Sequence, residues 1–262
     1  MKILVCDRLE EKVLDKFEEL GEITNISESK TKTEDLKSNI VDTEIVVIRS
    51  GTKINKDILE NANNLKIIAR CGVGVDNVDV EEATNKKIYV TNSPNANIIS
   101  VAELTIGLII SAARKIHISN NSLKDKKWDR NKFLGTELYQ KQLGLVGFGK
   151  AAKEVAKRLS AFGMNIVFYD PYVDSSTIEA KKVDLDELLK TSDVISIHVV
   201  KTEETTNLIN NEKLNLIKKG GILVNTSRGG IIDEESLFQK ANEDLIFAGL
   251  DVFSQEPPDI NE

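Results

Sequence analysis

A glycine-rich stretch at residues 144–152, Gly-Leu-Val-Gly-Phe-Gly-Lys-Ala-Ala, carries the clearest chemical signal in this sequence. An apolar run leads into it, and a helical pattern begins directly after it. Gly147 would make a tight turn, and Gly149 would let the backbone approach a pyrophosphate at the helix N-terminus. Ala152 takes the third small position of this dinucleotide-binding pattern. A glycine turn without a ligand is the alternative interpretation.

An acidic residue stands where a dinucleotide site needs one. The apolar run at residues 165–169 ends in Asp170, eighteen residues after Ala152. A carboxylate there accepts hydrogen bonds from the adenosine ribose hydroxyls. Because a carboxylate also repels a 2′-phosphate, Asp170 favours NAD over NADP as the cofactor.

Two further candidates for chemistry follow later strands. Arg228 precedes two glycines, and its guanidinium could grip a carboxylate or polarise a carbonyl. Glu256 comes five residues after Asp251, and a carboxylate there could orient a catalytic imidazole. Ligands of parallel sheets bind outside the carboxyl ends of strands, which favours these positions. A surface arginine in a glycine turn and an ordinary acidic loop are the alternatives.

Strand ends in the first ninety residues carry a second set of candidates. Arg49 supplies positive charge for a carboxylate or phosphate, and backbone amides near Val73 and Gly74 could form an anion-binding nest. Residues 76–79 fit a simpler role as the turn that opens a helix at Val80.

Hydride transfer to a ketone also needs a proton donor near neutral pH, which is usually histidine. The chain has two histidines. His117 ends a long apolar helix pattern and is expected to cap that terminus. His198 lies in an apolar strand pattern and is expected to be a satisfied core residue. Cys71 is interpreted as a small buried residue. The sequence shows no cluster of metal ligands.

Composition narrows the class of protein. The chain of 262 residues, with 40% hydrophobic and 29% charged residues, predicts a globular protein of two domains. Its net charge of −7 argues against a general binder of nucleic acid or anionic membranes. Two cysteines make no disulfide framework, so a reducing, cytoplasmic compartment is expected. The apolar segment at residues 104–113 is too short to span a bilayer.

Alternating strand and helix patterns predict an α/β fold of two doubly wound parallel-sheet domains, residues 1–96 and 97–262. In the first domain we predict strands at 2–6, 23–26, 44–48, 65–69 and 88–90, and helices at 10–20, 32–39, 56–62 and 80–86. A long apolar helix at 98–116 and a charged, irregular segment at 124–135 come next, the latter either a packed arm or a solvated loop. Later strands are predicted at 143–146, 165–169, 193–198, 221–225 and 247–252, with helices at 150–161, 185–189, 211–217 and 233–241. Five strands are too few for the complete six-stranded dinucleotide fold.

At these residues the chain resembles the D-isomer-specific 2-hydroxyacid dehydrogenase family. The motifs that carry the resemblance lie at residues 47–53, 72–79, 92–97, 100–103, 127–130, 133–137, 147–149, 225–230 and 249–257. The resemblance implies a flavodoxin-like substrate domain followed by an NAD-binding Rossmann domain. It also implies family dimers that embrace through residues 98–137.

The resemblance assigns roles to individual residues. Arg228 would bind the substrate carboxylate and carbonyl, and Glu256 would partner the catalytic histidine. Residues implied to bind the cofactor are Gly147, Gly149, Lys150, Ala151, Asp170, Val199, Thr226, Ser227 and Asp251, the last at the nicotinamide carboxamide. Residues implied to bind substrate are Arg49, Val73, Gly74, Asn97 and Arg130, the last reaching the substrate phosphate of a neighbouring subunit.

The implied activity is NAD-dependent oxidation of a small anionic D-2-hydroxy acid. The motifs at 47–53 and 72–79 favour 3-phospho-D-glycerate, oxidised to 3-phosphooxypyruvate at the head of serine biosynthesis. Glycerate, lactate or glyoxylate/hydroxypyruvate chemistry is the nearest variant, and a non-catalytic NAD(H)-sensing protein is the alternative class. The family's histidine lies beyond the Glu-Pro motif, whereas this sequence ends at Glu262. We therefore expect a C-terminal segment with that histidine, the last strand and the helix returning to the first domain to be missing.

Overall fold

The computed structural model describes residues 1–27 and 33–259 and forms two compact units, Met1–Asn97 and Ile98–Glu262. The division falls one residue after the expected boundary. Each unit is built on its own parallel sheet. Both sheets agree with the expected α/β class.

The N-terminal unit alternates strands and helices along the chain. Its elements are β1 Lys2–Val5, α1 Glu11–Glu18, β2 Glu22–Asn25, α2 Thr33–Ile40, β3 Ile45–Ile48, α3 Lys56–Glu60, β4 Ile67–Arg70, α4 Val80–Asn85 and β5 Tyr89–Thr91. The strand order β2-β1-β3-β4-β5 is that of flavodoxin-like folds. Of the helix predicted at 32–39, Lys32 lies outside the described residues.

The continuous apolar runs of these strands reflect a sheet covered on both faces. Ile3, Val5 and Val47 belong to one buried cluster, and Leu4 and Val46 belong to another. Because successive side chains point to opposite faces, both sets must be apolar.

The C-terminal unit begins with two helices, α5 Ile98–Ala113 and α6 Ile116–Lys124, followed by a 3-10 turn at Arg130–Phe133. The elements after that turn are β6 Gln142–Val146, α7 Lys150–Ser160, β7 Asn165–Tyr169, β8 Lys181–Lys182, α8 Leu185–Thr191, β9 Val194–Ile197, α9 Asn211–Leu214, β10 Gly221–Asn225, α10 Glu234–Asn242 and β11 Ile246–Leu250. The predicted count of five strands is wrong, because the described part of this unit forms a sheet of six strands in the order β11-β10-β9-β6-β7-β8. This is the strand order of the dinucleotide-binding fold. The missed strand, β8, is a lysine pair without an apolar run.

The long apolar helix is also shorter than predicted. Helix α5 ends at Ala113, and Lys115 adopts a left-handed conformation with φ of 53° that starts α6 in a new direction. His117 is the second residue of α6, so the prediction that it caps the end of the long helix is wrong. Its Nδ1 lies 3.4 Å from the Ser111 hydroxyl instead. None of the helices within residues 1–27 and 33–259 is long and apolar enough to cross a membrane.

Candidate cofactor and substrate sites

The register of the second sheet brings the carboxyl ends of five strands level with one another. Val146 pairs with Tyr169 and with Ile197, and Asn225 pairs with Ile197 and with Leu250. Eight predicted site residues follow these ends directly: Gly147, Gly149, Asp170, Val199, Thr226, Ser227, Arg228 and Asp251. Segments that are distant in sequence therefore meet at one edge of one sheet.

The glycine turn after β6 fits tightly against the segment after β9. Gly147 has a φ of +86°, and a Cβ on it would lie 2.9 Å from the backbone carbonyl of His198 and from the side chain of Val199. Any other residue would therefore be strained there and would also collide. Val199 thus lies beside the glycine turn.

The space in front of α7 suits a pyrophosphate. Gly149 is the N-cap of α7 and offers no side-chain acceptor, and the first turn contains no acidic residue. Apart from Gly149 and its two neighbours in the chain, no atom of the described residues lies within 4 Å of the position that a Cβ on Gly149 would take. Lys150 and Ala151 open the helix, and Ala152 is fully buried. The helix N-terminus therefore has open space and a favourable dipole for a dinucleotide pyrophosphate.

The Asp170 carboxylate is fixed beside this turn. One of its oxygens accepts the N–H of Phe148 at 2.8 Å, and the other accepts the N–H of Tyr172 at 2.8 Å. Each carboxylate oxygen can accept a further hydrogen bond, so both remain suited to ribose hydroxyls. The residues present therefore fit NAD.

Replacing Asp170 with alanine is expected to weaken NADH binding and to reduce the preference for NADH over NADPH by about tenfold or more. The change removes the ribose acceptor and the charge that repels a 2′-phosphate. Fluorescence titration of both cofactors measures the two affinities. Asp174, an exposed acid paired with Lys182, provides the control Asp174→Ala. An unchanged cofactor ratio in Asp170→Ala would exclude this role.

The turn that carries Arg228 is organised by a buried asparagine. Asn225 is 2% exposed. Its Oδ1 accepts the backbone N–H and the hydroxyl of Ser227 at 3.0 and 2.8 Å, and its Nδ2 donates to the Arg228 carbonyl at 2.8 Å. The hydroxyl of buried Thr226 lies 2.8 Å from that of Thr105 on α5. Sequence reasoning missed Asn225, although an asparagine before a tight turn is a known signal.

A second loop packs directly against the Arg228 turn. The N–H of Asp251 donates to the Asn225 carbonyl at 3.0 Å, and the exposed Glu256 carboxylate accepts the N–H of Phe253 at 3.1 Å. A Cβ on Gly229 would lie only 1.8 Å from the Phe253 carbonyl oxygen. The structure therefore brings the predicted Arg228 and Glu256 segments into contact at the same sheet edge.

His198 follows β9 instead of lying within it, and it is only partly buried, although it has a hydrogen-bond partner. Its Nε2 lies 2.9 Å from the Ser196 hydroxyl, and desolvation by the surrounding protein lowers its pKa to about 4. The imidazole is therefore neutral at neutral pH, which does not suit a proton donor.

The depressed pKa of His198 predicts a specific loss of stability in acid. The unfolded histidine takes up a proton near pH 6.5, whereas the folded one resists protonation down to about pH 4. This contribution is thus complete above pH 6.5 and is lost as the pH falls towards 4. Between pH 7.5 and 4.5 we expect wild type to lose about 2–3 kcal/mol more than His198→Gln in urea denaturation. Equal losses in the two proteins would contradict the assignment.

In the N-terminal unit, the turn after β3 that carries Arg49 is held from two sides. Asp7 accepts the N–H of Arg49 at 2.5 Å and that of Thr52 at 3.3 Å. Asn77 donates to the carbonyls of Arg49 and Thr52 at 2.7 and 2.5 Å. Sequence reasoning selected Arg49 but neither residue that holds its turn.

The loop after β4 carries the other predicted substrate residues, Val73 and Gly74. Asn92 donates to the Val73 carbonyl at 2.7 Å, and the N–H of Ser93 donates to the Gly72 carbonyl at 2.8 Å. The exposed Asn97 is the last residue of this unit, whereas exposed Arg130 lies on the 3-10 turn of the other unit.

The structure also bears on two smaller predictions, those for residues 76–79 and for Cys71. The helix-opening role of residues 76–79 is confirmed, because the Asp79 carboxylate accepts the N–H of Glu82 at 2.9 Å as the N-cap of α4. Cys71 is only partly buried, and burial raises the pKa of its thiol against the lowering effects of Arg49 and Arg70. Its thiol therefore stays protonated near neutral pH.

Comparison with known proteins identifies the family. Residues 106–262 match the model described as D-isomer specific 2-hydroxyacid dehydrogenase, NAD binding domain. The glycine turn, Asp170 and the six-stranded sheet lie in the matched region. The chain belongs to this family of NAD-dependent oxidoreductases, and its C-terminal unit is the NAD-binding domain.

Individual relatives agree with this placement. D-3-phosphoglycerate dehydrogenase of Methanocaldococcus jannaschii is 48% identical over 100% of this chain and 50% of its own length. Hydroxypyruvate reductase of Thermotoga maritima is 45% identical over 98% of this chain and 84% of its own. A crystal structure of Aquifex aeolicus D-lactate dehydrogenase with NAD and lactic acid superposes with a TM-score of 0.87 at 28% identity, covering 98% of this chain and 78% of that chain. The chain spans about half the length of most curated relatives it matches.

Proposed function

We propose that the protein catalyses NAD-dependent oxidation of 3-phospho-D-glycerate to 3-phosphooxypyruvate, the first step of L-serine biosynthesis. The observation that carries the proposal is the fixed Arg228 turn at the same sheet edge as the NAD-binding glycine turn. Phosphoglycerate dehydrogenases at 39–48% identity support this choice of substrate.

In this proposal each site residue acts on one part of the reaction. NAD supplies the acceptor for the hydride that leaves C2 of the substrate. The Arg228 guanidinium binds the carboxylate and polarises the C2 oxygen with paired hydrogen bonds. Glu256 holds the imidazole that takes the hydroxyl proton, a histidine that the family resemblance places after Glu256. Asp251 would hold the nicotinamide by accepting hydrogen bonds from its carboxamide.

The N-terminal unit carries its own set of proposed substrate-binding residues. Arg49 would neutralise substrate charge, and the backbone at Val73 and Gly74, with Asn97, would bind its oxygens. The turns of Arg49 and Val73 follow the neighbouring strands β3 and β4, so they can act on one small anion together.

A second candidate function is the reduction of hydroxypyruvate. It is supported by the Thermotoga relative named hydroxypyruvate reductase, which shares 45% identity with this chain. It would use the same Arg228 turn on a substrate without phosphate. An NAD(H)-sensing protein would retain the cofactor turn but would have no need of the ordered Arg228 turn.

A substrate panel separates these candidates. NADH formation or consumption is followed with the native gene product on 3-phospho-D-glycerate, D-glycerate, D-lactate and hydroxypyruvate. We expect the highest kcat/KM with the phosphorylated acid. Equal or higher values for D-glycerate or hydroxypyruvate would favour the second candidate, and NADH binding without turnover of any of them would favour the sensor.

We further propose a homodimer formed through residues 98–137. The segment at 114–132 has seven Lys or Arg and two Asp, whereas the whole chain has a net charge of −7. Residues 98–137 also expose large apolar side chains, with Trp128 80% and Leu134 77% exposed. An exposed apolar surface of this kind marks an interaction site, and we propose that a second copy of the chain covers it. Arg130, on this surface, would then reach the partner's substrate phosphate.

Light scattering after size exclusion is expected to give about twice the monomer mass of 29.1 kDa for the 262-residue chain. Trp128→Glu should shift the mass towards the monomer, because it places a charge in the proposed interface. Tyr172→Glu changes an exposed aromatic residue outside the segment and should leave the mass unchanged. A monomeric wild-type protein would contradict the proposal.

A further inference from the structure

One carboxylate joins the two loops that carry Arg228 and Glu256. Glu234 is the first residue of α10, and its Oε1 accepts the N–H groups of Gly230 at 3.3 Å and Ser254 at 2.7 Å. Its Oε2 accepts the Ser254 hydroxyl at 2.8 Å. Gly230 lies two residues after Arg228, and Ser254 lies two residues before Glu256, the two side chains proposed to act in catalysis.

Glu234 does not have the usual structural task of a residue at a helix start. Asp233 caps α10 by accepting the N–H and hydroxyl of Ser236 at 3.1 and 2.7 Å. The Glu234 side chain instead turns away from its own helix towards two loops, one of them twenty residues along the chain. Hydrogen bonds to a carboxylate are stronger than neutral ones, so a single group can hold both loops.

The two loops are in contact where this carboxylate joins them. Gly229 approaches the Phe253 carbonyl so closely that a Cβ would lie 1.8 Å from its oxygen. Contact alone does not fix how the two loops are placed relative to each other. Hydrogen bonds from both loops to one side chain at a rigid helix start do fix it. We propose that Glu234 is a positioning residue that fixes the Arg228 turn relative to the Glu256 loop. The inference rests on the proposed function for the roles of Arg228 and Glu256.

Three variants isolate this role. Glu234→Ala removes the hydrogen bonds that the Glu234 carboxylate accepts from Gly230 and Ser254. Glu234→Gln can keep them, because its amide oxygen accepts both N–H groups and its NH₂ can donate to the Ser254 hydroxyl oxygen. Glu235→Ala is the matched control. Glu235 is an exposed acid in the same helical turn, and among the described residues it makes no hydrogen bond to either loop.

The first readout is amide hydrogen exchange at Gly230 and Ser254 in the 262-residue chain, which does not depend on catalysis. We expect exchange at both amides to rise about three- to tenfold in Glu234→Ala. Glu234→Gln and Glu235→Ala should exchange like wild type. Unchanged exchange in Glu234→Ala, or an equal rise in Glu235→Ala, would overturn the proposal.

The second readout is steady-state kinetics of the native gene product. We expect Glu234→Ala to lower kcat about ten- to a hundredfold with little change in the KM for NAD, since misplaced catalytic groups slow the reaction. Glu234→Gln should restore most of kcat. Faster exchange with wild-type kcat would overturn the positioning role. If wild type oxidises no 2-hydroxy acid, the proposed function fails, and exchange alone still decides whether Glu234 holds the two loops together.

Discussion

Replacing Arg228 with lysine is expected to lower kcat/KM for the 2-hydroxy acid by about 10²–10³-fold. A lysine keeps the positive charge but loses the planar fork that binds a carboxylate and the C2 oxygen together. The Arg228 turn is held through its backbone by Asn225, so we expect the turn itself to persist in the variant. Steady-state kinetics of the native gene product measure the loss.

Two comparisons make this prediction specific to Arg228. NADH affinity should change by less than about threefold, because the glycine turn and Asp170 are untouched. Arg158→Lys is the control, since Arg158 lies on α7 in a partly exposed ion pair with Glu154 and should retain wild-type kinetics. A kcat/KM within tenfold of wild type in Arg228→Lys would remove Arg228 from the proposed role.

Replacing Gly229 with alanine is expected to destabilise the C-terminal unit by about 1–3 kcal/mol or more. The new Cβ would lie 1.8 Å from the Phe253 oxygen and 2.5 Å from the Ser254 nitrogen, and both atoms belong to backbone. One loop must therefore move away from the other, which also displaces Arg228 from Glu256. We expect kcat/KM to fall together with the urea midpoint.

Gly107→Ala is the control, and we expect it to change stability in the opposite direction. Gly107 lies within α5, and no atom of the described residues outside its own helix lies within 4 Å of a Cβ placed there. Alanine should therefore raise stability by about 0.5–1 kcal/mol. If Gly229→Ala were as stable as wild type, the close approach of the two loops would be wrong.

Local sequence signals were sufficient for most of the fold and for the cofactor turn. Continuous apolar runs predicted the buried strands, and the glycines around Phe148 predicted the turn before α7. Asp170 was predictable because the same pattern places an acidic residue at the end of the strand that follows α7. The ends of parallel strands then selected Arg228 and Arg49 without any coordinates.

Features that depend on distant parts of the chain could not be predicted in this way. The two lysines of β8 become a strand only because β7 offers a free edge for pairing. Asp7 lies forty-two residues from the Arg49 amide that it accepts, and Glu234 lies twenty residues from Ser254. No period or spacing links such pairs, so only the tertiary approach of two loops reveals them.

The NAD turn and the Arg228 turn are proposed to form a dehydrogenase site specific for one enantiomer. The most direct measurement is NADH formation at 340 nm when the native gene product meets NAD and either enantiomer of 3-phosphoglycerate. We predict NADH formation with the D-enantiomer and a rate at least about a hundredfold lower with the L-enantiomer. NADH binding without oxidation of either enantiomer, or equal rates for both, would contradict it.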